Sequence, residues 1–132
     1  MAVEIPAQFR DLLDTKALAH LGTVMPDGSP QVTPVWFDFA GGNVRVNSAK
    51  GRLKDKNMRR DPRVALSIVD PGNAYRYLEI RGRVVDITEA GAVAHIDSLA
   101  KKYLGLDVYP YHQPGVQRVI YRIEPLRFSS MG

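Results

Sequence analysis

Short β-capable runs, cut at close intervals by turn signals, constrain this chain more than any other feature. Leu18 through Met25 is apolar and strand-like, Pro26-Asp27-Gly28-Ser29 is a turn, and Gln31 through Ala40, rich in Val, Thr, Trp and Phe, runs on as a second strand. That pair predicts a hairpin. Gly41-Gly42-Asn43 turns the chain into an alternating strand at Val44–Asn47, and a fourth strand at Arg63–Val69 leads through Asp70-Pro71-Gly72-Asn73 into a long fifth, Tyr75–Ile87. Val116–Phe128 closes the chain, with Pro125 near its end. Six strands in antiparallel order with helices inserted predict a mainly β fold, a small barrel rather than a βαβ sheet.

Helical spacing accounts for the rest. Phe9, Leu12 and Leu13 fall at i, i+3 and i+4 after Pro6, which predicts a short amphipathic helix. Ala92, Val93, Ile96, Leu99, Ala100, Tyr103 and Leu104 predict a second, from about Glu89 to a cap at Gly105. At 132 residues the chain is read as one domain, 1–132. No run approaches the roughly 20 apolar residues of a membrane span. Met1-Ala-Val-Glu-Ile-Pro6 lacks the basic and apolar regions of a secretion signal. Zero cysteines exclude disulfides, thiolate catalysis and Cys-based zinc sites, and with the N-terminus they favour a cytoplasmic protein.

Charge is concentrated in one place. Residues 50–63 carry 7 basic and 2 acidic side chains, whereas the other 118 residues carry 11 basic and 12 acidic. A helix over this segment, stopped by Pro62, would set Lys50, Lys54 and Asn57 on one face and Arg52, Lys56 and Arg59 on another. If it starts soon after Ser48, its free N–H groups add to those cations, and a phosphate gains both. The bland alternative is a solvated surface helix.

Other chemistry is sparse. His20 lies in a strand, His95 on a helix and His112 in a loop, none at metal-ligand spacing, so structural or surface roles are expected and no metal site. Neither a nucleophile elbow nor a glycine-rich nucleotide loop is present, and no catalytic side chain is assigned. Tyr75 and Tyr77, two apart on a strand, share a face; they either stack on a planar ligand or fill a core or subunit interface.

The ordered set Leu21-Gly-Thr-Val-Met-Pro-Asp-Gly-Ser-Pro-Gln-Val-Thr-Pro-Val-Trp-Phe37, Val46-Asn-Ser-Ala-Lys50, Arg52-Leu-Lys-Asp-Lys-Asn57 and Arg59-Arg-Asp-Pro-Arg-Val-Ala-Leu66 resembles the pyridoxamine-phosphate-oxidase-like split-barrel superfamily. Within it, the chain looks most like the branch that uses the deazaflavin coenzyme F420, and the similarity continues through Tyr75-Arg-Tyr-Leu-Glu-Ile-Arg-Gly82. The resemblance implies a six-stranded antiparallel split β-barrel and a homodimer with cofactor clefts between protomers. It places Arg52 and Lys54 on the cofactor phosphate, with Asn57 and Lys50 beside them. Gln31, Thr33, Pro34, Val35, Asn47 and Ser48 would line the ring, and Tyr75 and Tyr77 would come from the other subunit. Trp36 and Tyr111 fall where a small-molecule substrate would be held.

Such an enzyme needs few catalytic side chains, because the reduced deazaflavin carries the hydride to an activated double bond while the protein binds and orients. The extra lysines suit F420, whose phosphate and acidic tail bring more negative charge than FMN; an FMN-binding oxidase or flavin-binding protein of the same barrel is the alternative. Pyridoxamine phosphate oxidase itself is expected to have a further C-terminal segment, which this chain, ending at Phe128-Ser-Ser-Met-Gly132, lacks. A nucleic-acid-binding barrel would need aromatics among the basic residues for base stacking, and residues 50–63 hold none. No nucleic-acid or membrane partner is therefore expected.

Overall fold

The computed structural model describes residues 2–132; Met1, at the head of the expected leaderless N-terminus, lies outside the described residues. A 3-10 helix, Ala7–Leu13, comes first, burying Phe9, Leu12 and Leu13. Then follow β1 (Ala19–Val24), β2 (Pro30–Val35), β3 (Phe37–Ala40), β4 (Asn43–Ala49), α1 (Leu53–Arg60), β5 (Arg63–Asp70), β6 (Asn73–Thr88), α2 (Ala92–Leu104) and β7 (Arg118–Met131). The fold is mainly β.

All seven strands join one antiparallel sheet in the order β2-β1-β5-β6-β7-β4-β3. β2 and β3 are therefore its two opposite edges, yet Trp36 alone separates them in the chain. Since consecutive Cα atoms are about 3.8 Å apart, the edges must come together at that residue, and the sheet curls into a barrel. Seven strands replace the expected six for this reason. The run Gln31–Ala40 has the composition of one strand, but its first half pairs with β1 and its second with β4, so it turns a corner between them.

The barrel interior holds Leu21, Phe37, Val44, Val46, Leu66, Ile68, Leu78, Ile80, Tyr121 and Ile123, with the 3-10 helix packed on the same cluster. Val46 and Tyr121 face each other across β4 and β7, and Leu66 and Ile80 across β5 and β6. Near a register shift in β6, Gly82 lies so close to the Glu124 carbonyl of β7 that a Cβ there would collide with backbone.

The basic segment differs from its expected form. Gly51 has φ 92°, which turns the chain as it leaves β4, so the helix begins at Leu53 and Lys50 lies outside it. The Lys50–Lys54 stripe is consequently not a helical one. Gly105 ends α2 as expected.

Candidate functional site

A cavity of about 310 Å³ opens at the corner between β2 and β3. Leu18, Pro34, Val35 and Ile96 make apolar wall, and Trp36, Tyr109 and Tyr111 aromatic wall. Asn47 and Ser48 reach it from the end of β4, Arg52 and Lys54 from the start of α1, and Arg118 from the first residue of β7. Trp36 stacks on Tyr103 of α2 at 5.2 Å between ring centroids, and Tyr109 meets its edge at 5.9 Å. The Tyr103 hydroxyl donates to the Ala17 carbonyl at 2.6 Å, which fixes the ring behind Trp36.

Three cations converge here. Among the described residues, Arg52, Lys54 and Arg118 form no ion pair with a carboxylate. Burial first, then the charges of Arg52 and Arg118, pull the Lys54 ammonium below its usual range. Burial likewise lowers Arg118, and Arg52 adds to it. The site as built is short of negative charge.

Four other cations of the basic run have partners within the chain, while Lys56 is exposed. Arg59 pairs with Asp55 at 2.9 Å, Arg63 with Asp61 at 2.7 Å, and Lys50 with Glu89 at 3.5 Å. Arg60 donates to the Val24 carbonyl and to Asn57. Asp55, buried in the first turn of α1, accepts from the Gly51 amide at 2.8 Å and from the Tyr121 hydroxyl of β7. Burial would raise its carboxyl, but those donors and Arg59 outweigh it and hold it low. Asp55 thus fastens α1 to the barrel and aims the start of the helix at the cavity.

The structure brings eight of the residues singled out from sequence into this one cavity: Pro34, Val35, Trp36, Asn47, Ser48, Arg52, Lys54 and Tyr111. Others lie elsewhere in the chain's own fold. Asn57 is fully buried, donating to Thr23 at 3.0 Å and to the Met25 sulfur at 3.3 Å. Gln31 accepts from Thr23. Thr33 carries a buried hydroxyl with no hydrogen-bond partner, alone among the described side chains. Lys50 is exposed, Tyr77 is half-buried and Tyr75 is 80% exposed; all three stand outside the cavity.

The pyridoxamine 5'-phosphate oxidase family matches the sequence over residues 5–132. This chain belongs to that family. A solved structure named F420 reductase is 38% identical to this family member, over 95% of this chain and 98% of that one, with a TM-score of 0.83. A conserved hypothetical protein from Mycobacterium tuberculosis, Rv2991, is 26% identical over 98% of this chain and 86% of its own, with a TM-score of 0.78. HupZ from Group A Streptococcus, at 19% identity, 96% and 93% coverage and a TM-score of 0.66, shares the fold.

Within this member of the pyridoxamine 5'-phosphate oxidase family, the cavity also contains residues that sequence reading passed over. Arg118 stands far from the basic run, yet β7 pairs it with Ala49, next to Ser48. Leu18 and Ile96 carry no signal beyond hydrophobicity. Asp38 and His95 sit behind the wall: His95 Nε2 is 3.2 Å from Asp38, which Arg45 grips with two bonds of 2.8 and 2.7 Å.

Proposed function

We propose that this chain is an F420-dependent oxidoreductase acting on a small organic substrate. The observation that carries the reading is the convergence of Arg52, Lys54 and Arg118, none paired with a carboxylate among the described residues, on a cavity walled by Pro34, Val35 and Trp36. An apolar and aromatic slot suits a planar ring, and three cations suit an anionic group attached to it. The residues present therefore fit a phosphorylated flavin-type cofactor. The similarity to the F420 reductase favours the deazaflavin over FMN.

When bound, the reduced deazaflavin would supply a hydride to an activated double bond of the substrate. Arg52, Lys54 and Arg118 would hold the anionic group by charge-assisted bonds. Asn47 and Ser48 would meet polar edges of the ring, while Trp36 and Tyr111 would orient the substrate and keep water from it. Gln31, Thr33, Asn57 and Lys50 stand outside the cavity, and among the described residues Thr33 has the one buried side-chain polar atom without a hydrogen-bond partner. A second copy of the chain would bring Tyr75 and Tyr77 to the cleft.

Fluorescence quenching tests the reading. F420 and FMN are titrated separately into the purified protein; binding of F420 at micromolar or lower concentration with much weaker FMN binding is the expected result. The reverse preference would make the chain an FMN protein, and binding of neither would overturn the cofactor site.

A further inference from the structure

We infer that His95, acting through the side-chain amide of Asn47, positions Arg118 for the anionic group of the ligand. What Arg118 meets rests on the proposed cofactor site; the network behind it does not. His95 is on α2 and 5% exposed, and each ring nitrogen faces one partner. Asn47 Nδ2 lies 2.9 Å from the Ala92 carbonyl and 3.1 Å from His95 Nδ1. A carbonyl only accepts, so Nδ2 is the amide nitrogen, and its second hydrogen needs a lone pair on Nδ1. The ring hydrogen is then on Nε2, facing Asp38 Oδ2 at 3.2 Å, where a carboxylate accepts it.

The consequence lies at the far end of the amide. With Nδ2 committed, Asn47 Oδ1 points to Arg118, whose Nε donates to it at 2.9 Å. Turned over, the amide would set its oxygen against the Ala92 carbonyl and its NH₂ against Arg118 Nε–H, two unfavourable contacts in a buried place. The Arg118 side chain makes no other hydrogen bond among the described residues, so its terminal NH₂ groups are free for a ligand while its Nε is fixed. The guanidinium also lies 5.4 Å over the Tyr109 ring, which holds its plane. Asp38, doubly bonded by Arg45, anchors the chain of contacts on the other side. His95 and Asn47 are thus positioning residues, linking α2 to the cation of β7.

The ligand-free, ¹⁵N-labelled protein gives the first test. The expected His95 spectrum shows Nδ1 without a proton and Nε2 with one, together with a slowly exchanging Arg118 Nε–H signal. A protonated Nδ1, or an Arg118 Nε–H that exchanges as fast as an exposed arginine's, overturns the inference whether or not any variant folds. Three variants then separate the two nitrogens. His95→Asn keeps an acceptor where Nδ1 stood, His95→Gln keeps a donor where Nε2 stood, and His95→Leu keeps neither. The Gln and Leu variants should lose the Arg118 signal and bind whichever of F420 or FMN the wild type binds roughly tenfold more weakly, with the Asn variant within about threefold of wild type. Equal affinity and equal Arg118 signals in all three overturn the inference. A wild type that binds neither cofactor overturns the cofactor site instead, and the nitrogen spectra still decide the network.

Discussion

A half-buried cation with no carboxylate beside it is stabilised when an anion arrives, because the anion offsets the cost that burial puts on the charged form. Lys54 and Arg118 are in that state, with Arg52 adding its charge to both. Arg52→Ala and Lys54→Ala should each weaken cofactor binding by about 1.5–3 kcal/mol, the range for a charged hydrogen bond lost. Unchanged dissociation constants for both, measured by quenching, would remove them from the site. Asp38 makes a different prediction. Burial would raise its carboxyl, but the bonds from His95 and Arg45 outweigh burial and hold it at about 2, against an ordinary 3.8. A lowered native value means that the unfolded chain takes up the proton first as pH falls, so this stabilisation is full above about pH 4 and is lost towards pH 2. Asp38→Asn should therefore be less stable than wild type at pH 7 by about 2 kcal/mol, and the gap should close near pH 2. Urea midpoints at the two pH values check it.

The eight residues of α1 have two duties on two faces. Lys54 turns to the cavity, whereas Asp55, Asn57 and Met58 are buried against the barrel. Asn57→Ala should thus act on stability, costing about 1–3 kcal/mol as Thr23 loses its donor, while leaving cofactor affinity within about threefold at a temperature where the variant is folded. A large affinity loss with an unchanged unfolding midpoint would return Asn57 to the binding site. Strands and helices were legible because their signals are local: alternation, turn residues and the spacing of Leu99 from Ile96. So was the basic run, although sequence could not tell Arg59 and Arg63, which pair with near neighbours, from Arg52 and Lys54, which do not. Arg118 was not legible at all. Its membership depends on strand pairing across some 70 residues, and no local pattern encodes the register that sets it beside Asn47.

At the scale of the whole molecule, the cavity is where the sheet meets itself. The apolar Val32 on edge strand β2 is 61% exposed and Tyr75 80% exposed, surfaces that a second copy of the chain would cover. Sedimentation velocity should accordingly find two chains per particle, and Tyr75→Asp should shift the population towards one; a wild type that sediments as a single chain would remove Tyr75 and Tyr77 from the proposed cleft. The corner residue adds something further. Trp36 is the only tryptophan in the chain, it is the single link between the two sheet edges, and it forms part of the cavity wall. Its emission is therefore an intrinsic probe placed by the fold itself: one optical signal follows both the joining of the barrel during folding and the filling of its pocket afterwards, with no label attached.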